Sequence, residues 1–191
     1  MKKRLFIVTI LVIIGIVIII ANTEKRNDVV DFINATYSQR QFTTKHISDE
    51  IIQQVLQAGH KAPSAGNQQP WHFTVIRNKP LIDEIMNNVV ENNVLIVVSA
   101  LKEHPRGFSM DFDSALATQN MFLVAQALGV GARMYVMPLR NLNENHLHKL
   151  NVPDDYRAYM ILRLGYEDES VDATTAASPR QPLENKVNFI N

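Results

Sequence analysis

A run of ten residues, 62–71, holds the side chains best suited to contact a polar ring. Its sequence is APSAGNQQPW, which places a hydroxyl, three amides, one glycine and two prolines between two regularly patterned segments. Amide side chains donate and accept hydrogen bonds at the same time, and turn residues leave backbone N–H groups available to a ligand. The combination predicts a loop that binds a polar heterocycle.

The segments on either side of this loop have different patterns. Upstream, residues 47–56 carry isoleucine, valine and leucine on one helical face, and Ser48 is a suitable N-cap followed by two acidic residues. Downstream, residues 71–76 have the composition of a strand. The sequence therefore predicts helix, loop and strand in that order.

Three further blocks of sequence accompany the loop. They are YSQRQF at residues 37–42, DSALATQNMFLVAQALGVG at 113–131 and PRQPL at 179–183. Together with APSAGNQQPW they resemble the nitroreductase family of flavin enzymes, and they occur in the order that this family shows. The resemblance implies an α+β fold, a three-layer α/β/α sandwich of the FMN-dependent nitroreductase type.

The resemblance assigns the FMN phosphate to two of these blocks. Ser38 and Arg40 fall where the family holds the phosphate and ribityl groups, and Arg180 falls where its tail supplies a phosphate cation. Thr36 and Ser178 stand where relatives carry cations. A lost charge-assisted hydrogen bond costs roughly 1 to 2 kcal/mol, so weakened FMN binding is expected unless other cations compensate. Candidates for this compensation are Lys61, Arg77 and Arg133.

The flavin ring is assigned to the loop and to one strand end. Asn67 falls where a loop amide contacts the ring in the family, and Pro63 and Ser64 shape the approach to it. Tyr135 and Val136 fall near the strand end whose backbone faces the flavin N5. Asn67 is also suited to an ordinary turn, which is the alternative for that residue.

No acid or base is expected to be catalytic, because in such enzymes the flavin performs the chemistry and the protein binds and tunes it. The resemblance implies NAD(P)H as the electron donor, and a small electron-poor acceptor such as a nitroaromatic or a quinone, in a ping-pong cycle. Two alternatives stay open. One is a membrane-tethered flavin-binding domain without reductase activity, and the other is a specialised reaction such as dehalogenation or oxidation of a peptide ring.

Composition excludes several other classes of function. The chain has no cysteine, which rules out thiol catalysis, disulfides and cysteine-ligated metals. His146 and His148 lie two positions apart and would face different sides of a helix, so no metal site is predicted. The 19 basic residues balance 19 acidic ones, and nothing indicates nucleic acid binding.

Residues 5–21 form an uncharged apolar run that predicts a membrane anchor. These 17 residues would span about 26 Å as a helix, enough for a bilayer core if the flanking basic side chains extend to its surface. A cleaved signal peptide and a buried core helix are the alternatives. The expected plan is one transmembrane helix with its linker at 1–26, then an FMN-binding domain at 27–191. Basic residues before the run favour an exported domain.

Helical and strand patterns alternate along the rest of the chain. Strands are predicted at 71–76, 94–100, 132–137 and 156–164, and helices at 81–89, 111–128 and 142–150. The helix at 111–128 is apolar around more than half of its circumference, and the chain ends with the apolar residues Phe189 and Ile190. Since the family buries its flavin between two chains, a homodimer is expected.

Overall fold

The computed structural model describes residues 28–104, 106–170 and 179–190. The chain divides into two units between Thr36 and Tyr37, and residues 28–35 of the first unit are helical. The predicted anchor at 5–21 and the predicted boundary after residue 26 lie outside the described residues, so both remain predictions. Among the described residues, no helix combines the length and apolar character that crossing a membrane requires.

A four-stranded antiparallel sheet forms the centre of the second unit. Its strands are β1 (His72–Ile76), β2 (Val94–Leu101), β3 (Gly131–Tyr135) and β4 (Tyr156–Gly165), in the spatial order β1-β2-β4-β3. All three pairings are antiparallel. The two central strands are almost entirely buried, because each has a strand on both sides and helices above and below.

Helical segments cover both faces of this sheet. They are α1 (Asp49–His60), α2 (Lys79–Ile85), α3 (Met110–Ala127) and α4 (Leu139–Asn141), the last continued by a π turn (Leu142–His146) and a 3-10 turn (Leu147–Leu150). On one face, Ile52 of α1 and Met121 of α3 share a core with Ile96 of β2. On the other, Ile82 of α2 packs with Leu95. Neighbouring residues of β2 thus point into opposite cores, which confirms the predicted three-layer sandwich.

The boundaries of the helices show where the sequence predictions hold. Ser48 caps α1 by accepting a hydrogen bond from the Ile51 N–H at 3.4 Å, as predicted. The helix predicted at 81–89 is wrong in its second half, since α2 ends at Ile85 and Met86 is extended. The segment predicted as a helix at 142–150 is helical from Leu139 onward but widens and tightens into π and 3-10 turns.

Candidate functional site

Two of the predicted site residues, Arg40 and Tyr135, meet in one cavity of about 460 Å³. Its walls come from residues 40–42, from residues 86–90 after α2, and from β3 and β4. Three arginines, Arg40, Arg133 and Arg163, line the cavity, and no carboxylate is among the described residues that line it. The local charge is therefore strongly positive.

The segment that carries Arg40 is held against the edge of the sheet. The Gln39 N–H donates to the carbonyl of Ala132 at 3.1 Å, and the side-chain oxygen of Gln39 accepts from the Arg40 N–H at 2.7 Å. A Cβ at Gly131 would lie 2.9 Å from Gln39 Cγ, so the glycine makes room for this buried side chain. Ser38 lies in the same segment and is exposed.

Arg163 is a buried cation, with only 6% of its surface exposed. Its Nε donates to Asn93 Oδ1 at 2.9 Å and one terminal nitrogen donates to the Asn88 carbonyl at 3.0 Å, while the guanidinium lies 4.2 Å from the centre of the Phe42 ring. Burial lowers the pKa of Arg163, Tyr135 opposes this shift, and the charge of Arg133 adds to it. These contacts fix the side chain at the cavity wall.

The loop at 62–71 folds as a turn anchored on α3. Ser64 Oγ accepts a hydrogen bond from the Gln69 N–H at 2.9 Å, and the Ala65 N–H donates to Asp113 Oδ1 at 3.1 Å. Asn67 is exposed and has a left-handed backbone with φ 53°. Asn67 therefore serves as a turn residue and also presents its amide to solvent, and Pro63 beside it is exposed as well.

The loop and the Arg40 segment are attached to opposite ends of α3. The Tyr37 N–H donates to Gln126 near the C-terminal end, whereas Ala65 is bonded to Asp113 in the first turn. The 13 positions between Asp113 and Gln126 correspond to about 20 Å along a helix. Within the described chain, the cavity that contains Arg40 and Tyr135 is not lined by any residue of the loop.

The remaining predicted residues lie outside the cavity. Val136 is exposed directly after β3, and Arg180 is exposed in the segment 179–190, all of whose residues are exposed. Ser178 lies outside the described residues. Arg77 was a candidate to replace a missing phosphate cation, but its guanidinium forms an ion pair with Asp49 Oδ1 at 2.8 Å.

Comparison with known proteins identifies the relatives of this chain. The sequence model of the nitroreductase family matches residues 33–103. A protein of Archaeoglobus fulgidus, assigned as an NADH dehydrogenase/NAD(P)H nitroreductase, is 32% identical over 145 residues, which cover 71% of this chain and 83% of the relative. The chain belongs to the nitroreductase family. A protein of Methanothermobacter thermautotrophicus with the same assignment is 31% identical to this nitroreductase-family chain over 75% of its length and 79% of the relative.

The solved structures agree with the fold. A crystal structure of a nitroreductase with bound FMN from Bacteroides fragilis superposes with a TM-score of 0.71 at 22% identity, covering 85% of this chain and 98% of the other. The nitroreductase-type α+β fold predicted from the sequence is thus confirmed. Membership of the family supports the expected enzyme class, an FMN-dependent NAD(P)H oxidoreductase.

The residues of the cavity are suited to the FMN of a nitroreductase. Guanidinium groups match a phosphate ester, which carries a charge of about −1.5 to −2 at neutral pH. Asn87 and Asn88 also line the cavity, and an amide side chain is able to bond ring carbonyls and nitrogens. The backbone of Tyr135 and Val136, where β3 ends, is the part predicted to face N5.

Three polar residues of the cavity, Arg163, Asn87 and Asn88, were not predicted from the sequence. Arg163 and Arg133 are cross-strand partners that stand thirty positions apart in the chain, and no periodicity reports such a pairing. The sequence did contain one signal, because Arg163 is the charged residue in the mostly apolar run 158–164 of the predicted strand. A charge in a buried strand requires a partner, which marks that residue for inspection.

Proposed function

We propose that the protein is an FMN-dependent oxidoreductase that passes electrons from NAD(P)H to a small electron-poor acceptor such as a nitroaromatic or a quinone. The carrying observation is the positive cavity that joins Arg40 to Tyr135 in a chain of the nitroreductase family. A cavity of this kind favours an anionic occupant, and a phosphorylated flavin supplies both the anion and a polar ring.

The roles of the chain in this reaction are binding and orientation. Ser38 and Arg40 would hold the phosphate and ribityl groups, with Arg180 of the tail as a further cation. The strand end at Tyr135 and Val136 would orient the ring. Because Val136 is exposed, the outer side of the ring would stay open to solvent. Bound FMN would supply hydride transfer, so no side chain needs to act as acid or base. Donor and acceptor would use the open side in turn, which is a ping-pong cycle.

A homodimer would complete this site. Because the loop at 62–71 and the Arg40 segment lie at opposite ends of α3, the loop of one protomer would serve the cavity of its partner through Pro63, Ser64 and Asn67. Several large apolar side chains are exposed and available for such an interface. They are Phe112 and Leu116 of α3 and Leu183, Phe189 and Ile190 of the tail. Exposed apolar groups in this number support an interaction surface.

The apolar run at 5–21 would attach this oxidoreductase to a membrane by a single N-terminal helix. The basic residues that precede the run favour an N-terminus in the cytoplasm and a domain on the other side. An exported domain would be separated from the cytoplasmic nicotinamide pool. In that location its electron donor would differ from NAD(P)H.

One observation favours a second function, a flavin-binding domain at the membrane without reductase activity. Thr36 stands where relatives carry a cation, and its hydroxyl donates to the Ile33 carbonyl at 2.8 Å, as expected for a residue that ends a helix. A domain that binds FMN weakly could have lost turnover. The two functions differ in whether bound flavin exchanges electrons with added substrates.

Initial-rate kinetics test the proposed reaction. NADH or NADPH consumption is measured at several fixed concentrations of a nitroaromatic and of a quinone, with FMN present. A ping-pong reductase gives parallel double-reciprocal lines, and consumption stops when FMN is withheld from flavin-free protein. Flavin binding without any acceptor-dependent consumption would favour the second function instead.

A further inference from the structure

Arg133 and Arg163 place two positive charges directly opposite each other on adjacent strands. They are register partners of β3 and β4. Like charges in this arrangement destabilise a sheet, and the described residues include no carboxylate that pairs with either guanidinium. An anion bound beside the two guanidinium groups would offset this repulsion.

Arg163 does not have the contacts of a solvated surface arginine. Arg163 is held by Asn93, Asn88 and Phe42, and Asn93 is itself buried with 2% exposure. Arg133 lies over the Tyr135 ring, 5.0 Å from its centre, and is partly buried. Both arginines line the cavity, and the hydrogen bonds of Arg163 hold its guanidinium in a fixed position, as a site for a planar or tetrahedral anion requires.

The position along β3 indicates which part of FMN these charges would meet. Gln39 bonds to Ala132, so Arg40 enters the cavity beside Arg133, near the start of the strand. Tyr135 lies two residues further on, about 7 Å along the strand. The backbone beside Arg133 thus lies nearer to the group that Arg40 binds, and the backbone where β3 ends lies nearer to the ring.

We infer, on the basis of the proposed function, that Arg133 binds the FMN phosphate together with Arg40, and that Arg163 supports it as a fixed second charge. This pair replaces the cation that is missing at Thr36. Arg77 cannot take this role, because it bonds to the Ile47 carbonyl at 2.9 Å and to Asp49. The site is thereby built from strand residues that the family resemblance did not assign.

Binding of two flavins separates phosphate recognition from ring recognition. Full-length protein is freed of flavin and titrated with FMN and with riboflavin, which has the same ring and lacks the phosphate. Arg133→Gln is expected to weaken FMN binding by about 10- to 100-fold, the effect of one charge-assisted hydrogen bond, and to leave riboflavin binding within about twofold. Arg133→Lys, which keeps the charge, should restore most of the FMN affinity.

Arg157→Gln is the matched control, because Arg157 lies on β4, is exposed, and contacts the Tyr159 ring instead of the cavity. It should leave both affinities unchanged. Arg163→Lys keeps the buried charge and tests whether the guanidinium of Arg163 supports Arg133 in phosphate binding. Thermal melting confirms that each variant is folded. Salt should weaken FMN binding in wild type more than in Arg133→Gln.

The inference is overturned if Arg133→Gln retains the wild-type preference for FMN over riboflavin, or if it loses both flavins equally. A wild-type protein that binds neither flavin would instead contradict the proposed function itself. Failure of the inference and failure of the proposed function are thus different results of the same titration.

Discussion

Asp113 links the loop at 62–71 to the long helix α3 through a single buried carboxylate. It is only 3% exposed, and its Oδ1 accepts the hydrogen bond from Ala65 that fixes the turn. Its Oδ2 is buried and bonds to no described residue. Burying an unbonded carboxylate oxygen costs free energy. The position of Asp113 in the first turn of α3 offsets part of this cost, because the positive end of the helix dipole stabilises a negative charge there.

Replacement of Asp113 separates its hydrogen bond from its charge. Asp113→Ala leaves the Ala65 N–H without its acceptor and should lower the free energy of unfolding by about 1 to 3 kcal/mol. Asp113→Asn keeps an acceptor oxygen and should cost less than about 1 kcal/mol. Urea denaturation of the chain from residue 27 onward measures both, and Asp111→Asn, exposed in the same turn, is the control. An Asp113→Ala variant as stable as wild type would show that the loop does not depend on this bond.

At the scale of elements, the end of β4 packs too closely to admit a larger residue at Gly165. A Cβ there would lie 2.7 Å from Asn93 Nδ2 and 2.7 Å from Phe42 Cδ1, and both of these side chains contact Arg163. The absence of a side chain at Gly165 therefore allows the buried arginine to be held in place.

Gly165→Ala should consequently destabilise the protein and disturb the cavity together. Overpacking of this kind costs about 1 to 3 kcal/mol, so the melting temperature should fall by several degrees. FMN affinity should fall as well, because Asn93 and Phe42 must shift away from Arg163. Calorimetry and flavin titration measure the two effects. An unchanged melting temperature would mean that the end of β4 relaxes without cost.

The sequence predicted helices and strands well where the pattern of apolar residues matches the buried positions. It predicted them poorly where the backbone dihedral angles of a few residues set the end of an element. The strand predicted at 94–100 is observed at Val94–Leu101. A continuous apolar run is typical of a strand whose two faces are both buried, and helices cover both faces of this sheet. The end of α2 was misplaced because Met86 is extended and Asn88 adopts a left-handed backbone with φ 62°, and the spacing of apolar residues reports neither. For the site, the resemblance indicated Arg40 and Tyr135, whereas Arg163 enters through strand pairing that no local pattern contains.

At the scale of the whole molecule, the exposed tail predicts a dimer. Phe189 and Ile190 are 87% and 97% exposed, which is costly for two adjacent apolar groups in a monomer. Introducing charge with Phe189→Asp and Ile190→Asp together should give a monomer that has lost FMN. Asn188→Asp adds a charge to the same segment without removing apolar surface, and it should remain a dimer.

Light scattering of the chain from residue 27 onward, with flavin absorbance recorded in parallel, measures assembly and occupancy together. A wild-type monomer that binds FMN stoichiometrically would contradict the shared site. So would a charged-tail variant that dissociates and still retains its flavin.

The attachment of the molecule to a membrane is a separate prediction from its apolar run. Ile13→Lys combined with Ile16→Lys should release the full chain into the aqueous fraction, since each lysine at mid-bilayer costs about 2.5 to 3.5 kcal/mol. Asn22→Lys with Thr23→Lys, placed beyond the run, should leave the distribution unchanged. Wild-type protein found in the aqueous fraction with its N-terminus intact would contradict the anchor.

The most direct measurement of flavin-dependent oxidoreductase function is an anaerobic absorbance spectrum of the purified full-length protein with FMN, recorded before and after NADH or NADPH is added. We expect a visible flavin spectrum that stays with the protein on gel filtration, bleaches with the nicotinamide, and returns when a nitroaromatic or quinone is added. A colourless protein that fails to retain added FMN would contradict this expectation.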